Sequence, residues 1–555
     1  MGMSRAALLV TAAAVVIATA GGASARGQAP ADAAAAHAPS SPAVDPRAGQ
    51  AAEVFAAYRS MSAPGCAVSA WQDGKPVFEG GFGSADLEHD VPITPATVFE
   101  AGSVSKQFTA AAILLLVQDG KLRLGEDVRR WLPELPDYGR PITIEHLLTH
   151  TSGLRDWGEL AAFQGWPRGS RAFTQDDVVD LIVRQRSLNY TPGAEYLYTN
   201  SGYNLLTEIV RRASGQSLAD FTRARIFVPL GMKSTGWRDD YRRIVKNRAI
   251  AYGRAAGGFE QAMPFEDGYG NGGLLTTVGD LQIWNQALAD RRLGGYLSAE
   301  LPRRAVLSSG VRITYGRGLV VHEWLGREEM SHTGSTGGYR AWLGRYPAAN
   351  LSVAVLCNRG DAQPLWLGRS VANLYLPPPR SDGQTTTLAD AQGRAGLYVN
   401  DRTGRPMLLV ATDGGLKVAG GETLWPLSGD SARHGADELT FQGRNAFVQQ
   451  TFEGDRYMWR RTPAWFPATT ELDAFVGVYR SEEIGVSYRV LKEGGQLVLR
   501  LESRPRQQIR MSPIYRDAFN LSGNLARFRR DSAGRVITLS LGSGRVRDLR
   551  FTRVG

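Results

Sequence analysis

The sequence predicts an α+β body followed by two small antiparallel β-barrel domains. The body, residues 50–376, carries strand signals at both ends. A hairpin over 65–82 turns at Asp73-Gly74, and an apolar, strand-like run covers 351–356. Between these ends the apolar residues mostly follow helical spacing. Strands at both ends with helices between them favour a sheet that joins the two ends of the segment.

A repeat after the body predicts the two barrels. Consecutive prolines open a linker over 377–388, and helical periodicity then disappears in favour of short alternating strands with glycine turns. A Gly-apolar-Tyr tripeptide begins at Gly396 and again at Gly477, 81 residues later. We therefore predict one β-barrel over 389–463 and a second over 470–555, since closed barrels leave no exposed edge strands.

The N-terminus has the pattern of a secretory signal. Arg5 precedes an apolar run over 6–20, and an Ala-Ser-Ala site follows at 23–25. We predict a cleaved signal peptide over 1–25, a disordered leader over 26–49, and an exported protein that is periplasmic or secreted. No second run of about 18 apolar residues follows, so no membrane span is expected after cleavage.

The composition argues against nucleic-acid binding and indicates no metal or cofactor. The 64 Lys and Arg residues exceed the 54 Asp and Glu residues, but they are scattered among acids and only seven are lysines. A nucleic-acid surface would need clustered cations. No group of His and Cys residues has metal-ligand spacing. Cys66 and Cys357 are compatible with one disulfide or with two buried thiols, and the sequence leaves both open.

The central chemical signal is a serine and a lysine three residues apart at the start of an apolar helix. Ser103 and Lys106 would share one helical face, and Ser103 would lie in the first turn, where free N–H groups stabilise a developing oxyanion. A serine hydroxyl is a good nucleophile only when a base removes its proton. A buried lysine with a lowered pKa can be that base.

Two further segments supply groups that an acyl transfer needs. Tyr198 and Asn200 precede a helix, where the tyrosine could pass a proton to the leaving group and the amide could bind substrate. The run His332-Thr333-Gly334-Ser335 is typical of a strand edge, whose backbone could pair with an extended substrate. The N–H of Ser335 could be a second oxyanion donor.

These segments, in this order, resemble the serine β-lactamase and penicillin-binding protein superfamily. Its motifs Ser-Xaa-Xaa-Lys, Tyr-Xaa-Asn and Lys/His-Thr/Ser-Gly match at Ser103, Tyr198 and His332. The resemblance covers about residues 55–375. It is supported by two further stretches, His146–Leu154 and Gly272–Leu281.

The resemblance implies a fold and a set of roles. The fold is a β-lactamase-like catalytic domain with an antiparallel sheet flanked by helices and a helical subdomain. Ser103 would be acylated, Lys106 would be its partner base, and Tyr198 would be the acid/base for the leaving group. The backbone amides of Ser103 and Ser335 would form the oxyanion hole.

Position 332 departs from the penicillin-recognising members, which usually carry a lysine that faces the substrate carboxylate. His332 is mostly neutral near pH 7, which weakens the assignment as a β-lactamase or carboxypeptidase. Histidine here, with two C-terminal β units, is similar to the D-aminopeptidases of the superfamily, whose substrates present a free amine. In that group a loop of the last barrel reaches the active site. The corresponding stretch is 512–523, and we hypothesise that Asp517 pairs with the substrate ammonium.

We therefore predict an exported serine hydrolase that acts through a Ser103 acyl-enzyme on small peptides or amides with a free N-terminal amine. A β-lactamase-family esterase and a D-Ala-D-Ala carboxypeptidase or β-lactamase are the alternatives. A catalytically dead binding protein is less favoured, because none of the three motifs is broken. The expected partner is a small peptide, amide or ester, and a homodimer is left open.

Overall fold

The computed structural model describes residues 46–378 and 387–554, which belong to one compact unit. The predicted signal peptide, most of the predicted leader and the linker residues 379–386 lie outside the described residues. The end of the leader is helical rather than disordered, because α1 (Pro46–Glu53) buries Ala51 in an apolar cluster of the body. Within the described residues, no helix combines the length and apolar character that a membrane span requires.

A six-stranded antiparallel sheet joins the two ends of the body, as predicted. The strands of the body are β1 (Cys66–Gln72), β2 (Lys75–Phe82), β3 (Ser84–Asp86), β4 (Val91–Pro92), β5 (Phe99–Glu100), β6 (Gly236–Trp237), β7 (Tyr252–Ala255), β8 (Gly258–Gln261), β9 (Leu274–Thr276), β10 (Val320–Trp324), β11 (Arg327–Thr336), β12 (Tyr339–Tyr346) and β13 (Leu351–Cys357). The order of the main sheet is β10-β11-β12-β13-β1-β2. Cys66 and Cys357 are opposite each other in the β1–β13 register and form a disulfide, which resolves the alternative left open by the sequence.

The helices of the body surround a central apolar helix that begins at the predicted lysine. After α1 they are α2 (Lys106–Gln118), α3 (Ile144–Leu148), α4 (Trp157–Phe163), α5 (Gln175–Val183), α6 (Asn200–Ser214), α7 (Leu218–Thr222), α8 (Val228–Leu230), α9 (Val278–Ala289), α10 (Gly295–Glu300) and α11 (Pro364–Tyr375). Every residue of α2 from Lys106 to Leu116 is buried. Alanine and leucine favour the helix, and Gly120, at φ +73°, follows its end.

Two β units follow the body, and they differ in closure. The first contains α12 (Ala391–Arg394), β14 (Gly396–Asn400), β15 (Pro406–Thr412), β16 (Gly415–Val418), β17 (Trp425–Pro426), β18 (Ser431–His434), β19 (Asp437–Gln442), β20 (Ala446–Gln450) and β21 (Arg456–Arg461). The second contains β22 (Gly477–Ser481), β23 (Val486–Glu493), β24 (Gln496–Leu501), β25 (Gln508–Tyr515), β26 (Ala518–Leu521), β27 (Asn524–Arg530), β28 (Val536–Gly542) and β29 (Leu549–Arg553). The second is a closed antiparallel barrel, as predicted, whereas the first is an eight-stranded sheet with β16 and β17 at its ends.

The repeat detected in the sequence has an equivalent place in both units. The repeated tyrosines, Tyr398 and Tyr479, are fully buried. Each donates its hydroxyl to the carbonyl four residues earlier, Arg394 O at 3.0 Å and Phe475 O at 2.9 Å. The shared tyrosine therefore fixes the segment through which the chain enters each unit.

Both β units are anchored on the body by hydrogen bonds. Arg155, which is 1% exposed, donates to the Arg547 carbonyl at 3.1 Å and to Glu483 at 3.0 Å, both in the closed barrel. From the first unit, the Glu453 carbonyl accepts from the Thr314 N–H at 2.9 Å. These contacts hold the β20–β21 and β28–β29 loops against the body.

Candidate active site

Ser103 lies in a 3-10 turn, Gly102–Ser105, that leads directly into α2. The turn packs closely against β11 because two glycines remove the intervening side chains. A methyl group built on Gly102 would come within 2.6 Å of Ser335 N, and one on Gly334 within 2.0 Å of the Ala101 carbonyl oxygen. Gly102 also has φ +52°, which favours glycine. The turn that carries Ser103 thus contacts the strand that carries Ser335, as the predicted oxyanion hole requires.

Lys106 is fully buried beneath the serine and is held by three contacts. Its Nζ lies 3.2 Å from Ser103 Oγ, 3.0 Å from Asn200 Oδ1 and 2.6 Å from the Asn271 carbonyl oxygen. The helical spacing of three residues predicted the first contact, and the second joins the Tyr-Xaa-Asn motif to the pair. The third comes from the turn before β9. These contacts aim the amine at the serine hydroxyl.

The electrostatic surroundings favour the neutral amine of Lys106. Burial lowers the pKa of Lys106 well below its ordinary range, and the positive charge of Arg545 acts in the same direction. The Asp156 carboxylate opposes these effects. A neutral lysine can accept the proton of Ser103, as general-base catalysis requires.

Tyr198 precedes Thr199, which caps the start of α6, and its hydroxyl is hydrogen-bonded to Ser103. The ring is 4.8 Å from Lys106 Nζ. Burial raises the pKa of Tyr198 to about 12, while its hydrogen bond with Ser103 and the charge of Arg545 oppose this. The hydroxyl therefore stays protonated near neutral pH and can donate a proton to a leaving group. The Asp156 carboxylate, which accepts from the Asn200 N–H at 2.7 Å, fixes the start of α6.

His332 is buried on β11 and is uncharged near neutral pH. Burial lowers the pKa of His332 to about 3, and the proximity of Lys106 contributes. Its Nε2 lies 3.0 Å from the Tyr315 hydroxyl, and its Nδ1 lies 2.5 Å from the Thr333 carbonyl oxygen. The histidine consequently offers the substrate no fixed positive charge, as predicted from the residue type.

A cavity of about 410 Å³ brings most of the predicted site residues together. Lys106 contacts Ser103 from below, and Gly334 lies between two lining residues of β11. The cavity is lined by Gly102, Ser103, Arg168, Tyr196, Tyr198, Asn200, Asn271, Gly272, His332, Thr333, Ser335, Thr336, Glu453 and Arg545. Catalytic roles for these residues stay predictions, but their convergence on one cavity is what an acyl-transfer site needs.

Asp517 is not part of this cavity. It lies in the turn between β25 and β26, where its carboxylate is bound by Arg530 of the adjacent β27 at 2.8 Å. Tyr515, the last residue of β25, donates its hydroxyl to the carbonyl of Gly404 in the first β unit. The hypothesis that Asp517 binds a substrate ammonium is therefore corrected, because the Asp517 carboxylate is already paired with Arg530 and the turn faces the neighbouring unit.

The loop that does reach the site from the closed barrel is 543–548, between β28 and β29. It brings Arg545, and the β20–β21 loop of the first unit brings Glu453. Sequence reasoning missed both, since each is a charged residue in a glycine-containing turn with no local mark of function. It also missed Arg168, which pairs with the buried Glu266.

One group among the described residues has donors close enough to hold a cation. Asp86, Glu88 and His89 lie near the β3–β4 turn, and His89 Nδ1 is 2.8 Å from Asp86 Oδ2. Glu88 and His89 are exposed, and none of the three lines the Ser103 cavity. An ion pair accounts for this arrangement.

Comparisons with known sequences agree with the motifs. Residues 51–376 match the β-lactamase family profile. The D-aminopeptidase of Gluconobacter oxydans is 28% identical over 461 residues, which cover 80% of this chain and 85% of the relative. The D-aminopeptidase of Brucella canis is 26% identical over 523 residues, which cover 90% of this chain and 98% of the relative.

Solved structures support the fold. The octameric penicillin-binding protein homologue from Pyrococcus abyssi has a TM-score of 0.53 at 24% identity and covers 74% of this chain and 98% of its own. FmtA from Staphylococcus aureus has a TM-score of 0.51 at 19% identity and covers 61% of this chain and 90% of its own. With a family match over more than half of the chain and the serine, lysine and tyrosine gathered at one cavity, the protein is a serine hydrolase of the β-lactamase family.

Proposed function

We propose that the protein is an exported, D-aminopeptidase-like hydrolase of small peptides or amides with a free N-terminal amine. The observation that carries the reaction type is the 3.2 Å contact between Lys106 Nζ and Ser103 Oγ in a buried site. The substrate class is supported by relatives named D-aminopeptidases that align with 80% and 90% of this chain. Export is supported by the Cys66–Cys357 disulfide, which suits an oxidising compartment.

The reaction proceeds through an acyl-enzyme. Ser103 Oγ attacks the substrate carbonyl carbon while its proton passes to the neutral amine of Lys106. The carbon–nitrogen bond then breaks, the leaving nitrogen takes a proton from Tyr198, and the Lys106 ammonium returns that proton to Tyr198. Water then attacks the ester carbon while its proton passes to the neutral amine of Lys106. The bond between that carbon and Ser103 Oγ breaks, the proton returns from Lys106 to Oγ, and the acid is released.

Glu453, and not Asp517, is the acidic residue that supports recognition of a substrate amine. It lines the Ser103 cavity, and among the described residues its carboxylate forms no ion pair. Burial raises the pKa of Glu453. A partly buried carboxylate without a cationic partner is suited to bind a substrate ammonium through charge-assisted hydrogen bonds.

A panel of four substrates tests the proposal. We expect turnover of D-alanine p-nitroanilide to exceed that of L-alanine p-nitroanilide, p-nitrophenyl butyrate and nitrocefin, measured as kcat/KM by absorbance. Turnover of the ester alone would favour the esterase alternative. Turnover of nitrocefin above the amides would favour the β-lactamase alternative. Either result would contradict the proposed function.

Glu453→Gln should weaken binding of the amine substrate. We expect the KM for D-alanine p-nitroanilide to rise about 10-fold, because the ammonium loses a charged partner, with a smaller change for p-nitrophenyl butyrate, which lacks an amine. In the wild type this KM should also rise as the pH falls through the pKa of Glu453, since a protonated carboxyl cannot pair with an ammonium. The variant should lack this rise.

Glu438→Gln is the matched control for Glu453→Gln. Glu438 is an exposed residue on β19 of the same unit, away from the cavity lining. Its KM values should equal those of the wild type. If Glu453→Gln changed the two substrates equally, the carboxylate would not be the amine-binding group.

A further inference from the structure

Hydrogen bonds to its backbone hold Arg545 in place at the candidate active site. Its N–H donates to Glu159 Oε2 of α4 at 2.8 Å, and its carbonyl accepts from Asn189 Nδ2 at 3.0 Å. Arg547, two residues on, is fixed by Asn189 Oδ1 at 2.8 Å. The loop is therefore part of the site, and the Arg545 side chain projects from a fixed point.

The guanidinium of Arg545 lies next to Tyr198 with its hydrogen-bonding capacity unused. Its Cζ is 4.8 Å from the centre of the Tyr198 ring. Among the described residues it donates no hydrogen bond and forms one long ion pair, in which its Nη1 lies 3.7 Å from Asp156 Oδ2. The Asp156 carboxylate already accepts the N–H groups of Asn200 and Gly158 at 2.7 and 3.0 Å.

Among the described residues at the cavity, Arg545 is the cation whose side chain donates no hydrogen bond. His332 and Lys106 are buried, and both carry pKa values lowered by that burial. Arg168 is paired with Glu266. A guanidinium with free donors matches a carboxylate in geometry and charge.

We propose that Arg545 binds the α-carboxylate of the leaving amino acid, so that the preferred substrates are dipeptides with a free C-terminus rather than simple amides. This inference rests on the proposed function, in which Tyr198 protonates the leaving nitrogen. The carboxylate of a leaving amino acid is one carbon away from that nitrogen. A group stacked beside Tyr198 is therefore placed to bind it. Loop 543–548 of the closed barrel thus provides a positive charge through Arg545, which the uncharged His332 on β11 does not.

Two substrates that differ only in this charge provide the test. D-alanyl-glycine carries the carboxylate, and D-alanyl-glycinamide does not. We expect the wild type to prefer the acid roughly 10- to 100-fold in kcat/KM, the usual worth of a hydrogen-bonded charge pair. In Arg545→Gln the ratio of the two kcat/KM values should fall to about one. The altered charge near Lys106 can lower both kcat/KM values, but it lowers them equally and does not change their ratio. Arg545→Lys, which keeps the charge, should retain part of the preference.

Arg550→Gln is the matched control. Arg550 lies on β29 of the same barrel, pairs with Asp548 and has a side chain that is 60% exposed. It should keep the wild-type ratio. Labelling of Ser103 by a fluorophosphonate shows that each variant is folded.

The outcomes separate the two ideas. A wild type that hydrolyses both substrates equally, or an Arg545→Gln variant that keeps the preference, would overturn the role of Arg545 and leave the proposed function standing. A wild type that hydrolyses neither substrate but turns over nitrocefin or p-nitrophenyl butyrate would overturn the proposed function itself.

Discussion

Ser103→Ala should abolish covalent labelling by a fluorophosphonate and all hydrolysis of D-alanine p-nitroanilide. The hydroxyl is the atom that would become acylated, and it lies 3.2 Å from the amine that would take its proton. Among the described residues, Ser103 provides the hydroxyl that is hydrogen-bonded to Lys106 Nζ, so we expect no residual acyl-enzyme. Labelling can be measured by mass spectrometry of the intact protein.

Ser62→Ala is the control for Ser103→Ala. Ser62 is exposed and lies outside the cavity, so the variant should be labelled like the wild type. Circular dichroism should give the same spectrum for both variants. A stoichiometric adduct on Ser103→Ala would show that another residue is the nucleophile.

Lys106→Ala should lower the rate of acylation by about 10³-fold, the typical worth of a positioned general base. The substitution removes the amine that contacts Ser103, Asn200 and Asn271. Single-turnover labelling of Ser103 measures this step directly. Lys121→Ala, at an exposed position after α2, should label at the wild-type rate.

The pH dependence gives a second measure of Lys106. Only the neutral amine accepts a proton, and burial lowers its pKa. The neutral form is therefore lost as the pH falls through this lowered pKa, and kcat/KM should decline with it. p-Nitrophenyl butyrate isolates this decline, because it has no amine for Glu453 to bind. If Lys106→Ala kept both the rate and the acidic decline, a different group would be the base.

Several features of the fold follow from local sequence. The hairpin that turns at Asp73-Gly74 and the apolar run at Leu351–Cys357 lie in one sheet, where β1 of the hairpin pairs with β13. The tyrosines of the repeat, Tyr398 and Tyr479, occupy equivalent buried positions. These predictions succeeded because turn chemistry and apolar periodicity are local properties of the chain.

The Ser103–Lys106 contact was also predictable, since residues three apart share a helical face. Asn200 and His332 could be placed at the site only through the order of the motifs. Neither the disulfide nor the open first β unit followed from the sequence. Each depends on strand pairing between distant segments, which local patterns do not specify.

Residue type and helical spacing were enough to predict a serine nucleophile, a lysine base and an uncharged histidine at Ser103, Lys106 and His332. The charged residues that line the cavity could be identified only from the tertiary structure. Asp517, which the sequence analysis proposed as the partner of the substrate amine, is paired with Arg530. The cavity is instead lined by Glu453 and Arg545, which come from two separate β units. Loops from different units meet at a cavity only when those units pack on the body. Arg155 contacts the closed barrel, and Thr314 contacts the first β unit. The charge pattern of the site is therefore a property of packing and not of any single segment.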